Sequence, residues 1–429
     1  MDKLLVHGGT PLSGTINISG SKNASLPILA AALLTEHPVV IKNVPDVSDT
    51  NYMIQILSAL GAEVERFSGT VKITAKSLSP DAPYELVRKM RASICVMGPL
   101  TARLGRASVS IPGGCVIGDR PIDLHLKGLS ALGARIDNES GNMNITAEDG
   151  LRGCEIDLRG KNGPTVLGTD NLMMAAVLAE GTTIIESAAC EPEVVDLADF
   201  LNMLGAKITG AGTRRIVIEG VKELGSGCEG GECVHTVIPD RIEAGTYMVA
   251  GAIASPEGIT LNRVRHDHVQ PTIDLLCKAG HTVTLRDHSV TVARGENPRG
   301  CKLDTAPHPG FPTDMQAQFT AMFATTPGIS VVSDRIFPKR FMHCAELGRM
   351  GANVQVDDGT AVINGVEKLS GAPVMASDLR ASAALVLAAL TAEGTTEIKR
   401  LYHIDRGYEH IDEKLLLLGA KVERVLDED

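Results

Sequence analysis

Apolar residues in this chain recur in six near-equal blocks. A glycine followed by a β-branched run appears at Leu60-Gly61-Ala62-Glu63-Val64 and again at Gly133, Gly205, Gly280, Gly351 and Gly419, with spacings of 72, 72, 75, 71 and 68 residues. A glycine so placed closes a helix, because the residue after the last turn adopts a left-handed conformation. An Ala/Leu-rich stretch precedes each one, at 25–34, 92–103, 171–180, 242–253, 314–324 and 379–393. Their apolar positions run nearly all the way round, which predicts buried helices and not amphipathic surface ones. Most lead into a β-branched run such as Pro38-Val39-Val40-Ile41 or Gly181-Thr182-Thr183-Ile184-Ile185. Each block therefore reads strand, buried helix, strand, outer helix, strand, strand. Six blocks of one length are the mark of a single structural unit used repeatedly.

Helices inside and sheets outside invert the usual α/β order. The expected fold class is α/β, with two inside-out α/β barrel-like domains, each a threefold repeat of this block. The irregular stretch Gly225-Ser226-Gly227-Cys228-Glu229-Gly230-Gly231-Glu232-Cys233 divides the blocks three and three. The strands before Ser19 pattern with the second half. The expected domains are residues 22–230 and, discontinuously, residues 1–21 with 231–429.

Composition adds exclusions. The chain has 429 residues, 44% of them hydrophobic, and 52 acidic against 41 basic side chains, a balance that argues against a nucleic-acid surface. The apolar run 26–34 is too short to span a bilayer. Met1-Asp2-Lys3 leads straight into a strand-like Leu-Leu-Val without a signal-peptide region, so a cytoplasmic protein is expected. Nine scattered cysteines suggest reduced thiols and no disulfide framework. Cys228-x4-Cys233 followed by His235 reads as a metal site or as a plain flexible connector. The C-x2-C pairs of structural zinc sites are absent, which favours the connector, and no metal or organic cofactor is expected.

Four stretches carry candidate chemistry. The loop 111–124 brackets Cys115 with Gly113, Gly114, Gly118, Pro112 and Pro121, and Arg120 follows five residues on. A nearby arginine favours the reactive thiolate, although a surface hairpin with an incidental cysteine has the same composition. Ser19-Gly20-Ser21-Lys22-Asn23 opens the first buried helix, whose free N–H groups suit an anion; a helix cap with a solvated lysine is the alternative. Arg91, Arg120, Arg340, Arg380 and Arg406 occupy equivalent loops of the repeat, several beside a carboxylate, as in Asp378-Leu379-Arg380 and Asp405-Arg406-Gly407. Singly each reads as a structural ion pair, while together they suggest one anion-rich cleft between two halves. Phe311-Pro312-Thr313-Asp314-Met315 places a carboxylate where either a general base or an N-cap would stand. His308 and His403 lie near these motifs without a pattern of their own.

The same segments resemble one family. Ser21-Lys22-Asn23-Ala24, Pro112-Gly113-Gly114-Cys115-x-Ile117-Gly118-x-Arg120-Pro121-x-Asp123-Leu124, Pro239-Asp240-Arg241-Ile242-Glu243, Phe311 through Gln318, Asp378-Leu379-Arg380-Ala381-Ser382 and Tyr402 through Glu409 look like the UDP-N-acetylglucosamine 1-carboxyvinyltransferases, enolpyruvyl transferases of peptidoglycan synthesis. The likeness covers essentially the whole chain. It implies two inside-out domains closing on substrate, with the active site in the cleft between them. The implied reaction is transfer of the enolpyruvyl group of phosphoenolpyruvate to the 3'-hydroxyl of UDP-N-acetylglucosamine, with release of phosphate. A paralogue acting on another nucleotide or sugar acceptor is the alternative.

By the same resemblance Lys22, Arg120 and Arg406 hold phosphoenolpyruvate, Asp314 accepts the hydroxyl proton, and Cys115 donates a proton at the enol carbon and is the thiol that fosfomycin alkylates. Asp378 is a further catalytic carboxylate, and Arg340 and Arg380 line the cleft. Asn23, Arg91, Pro121, Ile122, Asp123, Leu124, Thr165, Val166 and Ile336 match positions contacting the sugar nucleotide. One segment departs from the family pattern: in Gly163-Pro164-Thr165-Val166-Leu167-Gly168-Thr169 a leucine replaces a glycine, and Lys161 is displaced by two residues. A side chain there either reshapes the nucleotide pocket or slides the register.

Overall fold

Six sheets of three or four strands, with one two-stranded ribbon beside them, surround two sets of buried helices among the described residues. The computed structural model describes residues 2–110, 122–139, 141–226, 228 and 232–426. They divide into two compact units, one of residues 20–238 and one of residues 2–19 with 239–426. Each unit has its own hydrophobic core, and the two cores share no residue.

The blocks are what the hydrophobic pattern predicts. In residues 20–238 the buried helices are Lys22–Ala31, Met97–Leu104 (entered through the 3-10 turn Arg91–Val96) and Val166–Ala176. In the other unit they are Arg241–Ala254, Gln316–Ala324 and Leu379–Thr391. The helix expected at 171–180 starts five residues earlier, because Thr165 caps it through a bond from the Gly168 N–H at 3.2 Å. Helices of each set pack on one another. Alanine and glycine on their facing sides let the backbones approach closely. The outer helices all end where expected: Gly61, Gly133, Gly205, Gly280, Gly351 and Gly419 have φ between 85° and 101°.

All six sheets follow one scheme. A parallel strand leads, and three antiparallel strands follow, as in Glu155–Asp157, Thr182–Glu186, Arg215–Glu219 and Lys207–Thr209. The sheet of Arg106–Ser110, Asn142–Thr146 and Arg135–Glu139 has only a parallel bridge from Asp81 to Ser108 in the leading position. No strand of one sheet pairs with a strand of another among the described residues, so each unit is an α/β assembly of three open sheets and not a closed barrel.

In two blocks the leading strand comes from a distant part of the chain. Gly14–Asn17 pairs with Ile259–Asn262, and Cys233–Thr236, expected in the second domain, pairs with Val39–Lys42 in the first. The chain therefore passes from unit to unit at Ser19/Gly20 and again at Ile238/Pro239. Both passages are tied down. The Asp240 N–H donates to the Ser19 carbonyl at 2.9 Å and the Ser21 N–H to the Ile238 carbonyl at 2.7 Å.

One expectation about the cysteines is overturned. Cys228 and Cys233 form a disulfide, with Cα atoms 5.2 Å apart. That separation is within bridging range, so they are neither reduced thiols nor metal ligands. His235 is also committed elsewhere, its Nε2 lying 2.9 Å from Asp196 Oδ1. No helix among the described residues is long and apolar enough to cross a membrane.

Candidate active site

In residues 20–238 the charged focus is the start of the helix Lys22–Ala31. Ser21 caps that helix, accepting from the Ala24 N–H at 3.2 Å. Lys22 is not the solvated lysine of the simpler reading. Its Nζ lies 3.0 Å from Asp49 Oδ2, with the lysine side chain 12% exposed and the carboxylate 1% exposed. Asp49 stands in the first turn of the outer helix Ser48–Ala59, where a negative charge also suits the helix dipole. Nothing in the sequence singles it out. Asn23 follows Lys22 in the same turn, and Arg91 opens the 3-10 turn Arg91–Val96, half-buried. Asp123 and Leu124 begin the helix Asp123–Ala131, and Ile122 precedes it.

Cys115, Arg120 and Pro121 lie outside the described residues. Thr165 is the cap of the helix Val166–Ala176, and Val166 is its first residue. Leu167 sits in the first turn and packs against the core of the unit. The cap fixes the register there. It also explains the adjacent glycine, since a Cβ on Gly168 would stand 2.4 Å from Thr165 Cγ2. Lys161 is exposed in the turn of the hairpin Arg159–Gly160 and Gly163–Pro164. Leu124 borders that hairpin, its Cδ1 being 3.1 Å from where a Cβ on Gly160 would stand.

In the other unit the focus is a carboxylate. Asp314 Oδ1 accepts from Arg340 Nη1 at 2.7 Å, and Asp314 Oδ2 from Arg380 Nη2 at 3.1 Å. Both arginines are buried, while the Asp314 side chain is 27% exposed. An ionised carboxylate between two guanidinium groups is held firmly and keeps a face open. The capping alternative for Thr313 and Asp314 does not apply, because neither caps the helix Gln316–Ala324. Thr313 instead donates to Asp334 Oδ2 at 2.6 Å, and Asp334 Oδ1 accepts from Thr305 and from the Ile336 and Phe337 N–H groups at 2.8–2.9 Å. One buried carboxylate thus secures both the flank of Asp314 and the turn that carries Ile336.

Asp378 and Asp405, near arginines in sequence, are not bonded to those guanidinium groups. Asp378 Oδ1 caps the helix Leu379–Thr391, accepting from the Arg380 and Ala381 N–H groups at 2.9 and 3.2 Å. Asp405 is held by Arg424, not by its neighbour Arg406. Arg406, half-buried, closes the 3-10 turn Leu401–Arg406. That turn presses on the start of the helix Leu379–Thr391, where a Cβ on Gly407 would meet Leu379 Cδ2 at 2.7 Å.

Electrostatics draws these groups together. Burial works against the charge on Arg380, but Asp314, Tyr408 and Asp240 outweigh it and leave its pKa above the usual arginine value. Burial lowers His343 to about 4, with Asp378 opposing and Arg340 reinforcing the shift. His403 is lowered by burial and by Arg406, against a pull upward from Asp378. Asp314, Arg340, Arg380, Asp378 and Arg406 therefore belong to one charged neighbourhood within this unit.

Comparison with known proteins gives the family. A family model described as EPSP synthase (3-phosphoshikimate 1-carboxyvinyltransferase) matches residues 6–415. The chain is 67% identical over the full length of both chains to a UDP-N-acetylglucosamine 1-carboxyvinyltransferase of Akkermansia muciniphila, and 56% identical over 99% of both to that of Methylacidiphilum infernorum. Among solved structures, the enolpyruvyl transferase NikO from Streptomyces tendae superposes with a TM-score of 0.88 at 28% identity, over 99% of each chain. The chain belongs to the EPSP synthase family of enolpyruvyl transferases, on the branch of the UDP-N-acetylglucosamine 1-carboxyvinyltransferases.

Proposed function

We propose that this protein transfers the enolpyruvyl group of phosphoenolpyruvate to the 3'-hydroxyl of UDP-N-acetylglucosamine and releases phosphate, as the first committed step of peptidoglycan synthesis in the cytoplasm. The observation that carries the reading is Asp314, a partly open carboxylate fixed by two buried arginines, in a chain alike over its full length to enzymes named for this reaction.

The chemistry follows from the side chains. Asp314 takes the proton from the 3'-hydroxyl as its oxygen attacks C2 of phosphoenolpyruvate. Cys115 gives a proton to C3, and a tetrahedral intermediate forms with phosphate and carboxylate on one carbon. Loss of a methyl proton then expels phosphate with the C–O electron pair and restores the double bond. Such an intermediate needs fixed positive charge placed beforehand, which costs no reorganisation during the reaction. Lys22, Arg120 and Arg406 supply it to phosphoenolpyruvate, and Arg340 and Arg380 orient Asp314. Asp378 is the further carboxylate of the proton transfers. Asn23, Arg91, Pro121, Ile122, Asp123, Leu124, Thr165, Val166 and Ile336 contact the sugar nucleotide. Cys115 is the point of attack for fosfomycin.

The test is phosphate release from phosphoenolpyruvate with and without UDP-N-acetylglucosamine, comparing native protein with Asp314→Ala and Cys115→Ala. Acceptor-dependent release that collapses in Asp314→Ala is expected. A folded native protein releasing none overturns the reading.

A further inference from the structure

We propose that Tyr408 is a positioning residue that holds Asp314, Arg380 and the segment of Arg406 in a single arrangement. The inference rests on the catalytic reading of those three residues.

Tyr408 follows Arg406 by two residues and is 2% exposed. Its hydroxyl lies 2.8 Å from Thr246 Oγ1 and 3.2 Å from Gln318 Nε2. The direction of each bond can be worked out. Thr246 donates its own proton to the Ile242 carbonyl at 2.8 Å, as a helical threonine commonly does. The Tyr408 hydroxyl is therefore the donor to Thr246, and its oxygen is left to accept from Gln318. The Gln318 amide also reaches Thr246 Oγ1 at 3.1 Å and the backbone carbonyl of Asp314 at 2.9 Å. One phenol thus joins the helices Arg241–Ala254 and Gln316–Ala324, and through Gln318 it braces the backbone of Asp314.

The third helix is reached through the ring. The Arg380 guanidinium lies 5.5 Å from the centroid of Tyr408, within cation–π range. Arg380 Nη2 is also the group bonded to Asp314 Oδ2 at 3.1 Å. Arg380 is thus aimed at Asp314 from a floor provided by Tyr408. The network has a cost, since Gln318 Oε1 is buried without a partner among the described residues. Buried polar atoms are rarely left so, and here the amide orientation is set by Asp314 and Tyr408 at the expense of its own oxygen.

Tyr408→Phe separates the two contributions, keeping the ring under Arg380 and removing the hydroxyl. We expect a folded protein whose kcat falls roughly tenfold, because small misplacement of reacting groups is costly, while KM for either substrate stays within about twofold. Gln318→Met should act alike. The double variant should lose no more than the worse single one, because both break the same chain of bonds. A crystal structure of Tyr408→Phe should show the Asp314–Arg380 contact lengthened beyond 3.1 Å. An unchanged kcat, a change confined to KM, or fully additive losses overturns the inference. If native protein releases no acceptor-dependent phosphate, the proposed reaction fails by itself, and the crystallographic contact decides: lengthened, it supports the positioning role, and unchanged, it overturns it.

Discussion

The helix Lys22–Ala31 begins with a cation held by a carboxylate, and the helix Gln316–Ala324 begins beside a carboxylate held by two cations. Both helices belong to the same repeated block, the first buried helix of one unit and the second of the other, and the charges at their starts are exchanged. In each case the residue assigned a substrate role in the proposed reaction is the more exposed partner. Asp49 is 1% exposed and Lys22 12%; Arg380 and Arg340 are 2% and 7% exposed and Asp314 27%. Burial also acts on different groups in the two units, raising Asp170 in one and lowering His281 and His343 in the other.

The comparison breaks most visibly at Asp314. Asp314→Asn keeps the shape and removes the base, so kcat should fall roughly 10²- to 10⁴-fold in the phosphate-release assay. Retained activity would mean that this carboxylate, too, is only a support.

Acid should pull the two units in opposite directions. His281 and His343 are lowered to about 4 by burial, so between pH 6.5 and 4 the unfolded chain binds protons that the folded chain refuses. Stability of residues 239–426 then falls as pH falls, by roughly 3 kcal/mol at pH 4 for a histidine shifted this far. Glu243, raised by burial against the pull of Lys414, offsets part of this. Asp170 is raised by burial and by Glu193 and Glu191, so the folded state binds the extra proton and acid stabilises residues 20–238. Hydrogen exchange from pH 7 to 5 should show protection falling in one unit and rising in the other. Parallel trends would remove the contrast.

The disulfide sharpens the same contrast more gently. Reduction of Cys228–Cys233 opens a short loop in residues 20–238 and should cost that unit about 2 kcal/mol. A thiol titration of unfolded protein should find two fewer groups before reduction than after. Smallest is the effect of Asp49→Asn, which frees Lys22 without removing it. KM for phosphoenolpyruvate should rise roughly tenfold, since positioning and not charge is lost. An unchanged KM would show that Lys22 needs no support.

Much of this was legible in the sequence, for reasons that differ from residue to residue. The six blocks show because a left-handed glycine and a wholly apolar helix are local requirements that the chain repeats. Lys22, Asp314, Arg380 and Arg406 show as members of motifs. Their partners do not, because Asp314 meets arginines 26 and 66 residues away, while Asp378 takes only the backbone N–H of Arg380 and Asp405 bonds Arg424. Asp49 and Asp334 carry no local mark; only folding brings them against Lys22 and Thr313. The cystine was missed for the opposite reason: scattered cysteines conceal one pair five residues apart.

The strand Asp2–His7 lies between Thr395–Lys399 and Lys421–Leu426, pairing Leu4 with Ile398 on one side and Arg424 on the other. During translation at roughly 5–20 residues per second, it leaves the ribosome tens of seconds before either neighbour exists. Residues 20–238 can assemble in that interval, since every strand of their sheets has already been made. The opening strand meanwhile waits as an unpaired edge, the kind of surface that chaperones shield and that aggregation exploits. That edge stays open until Lys421–Leu426 has been made and paired.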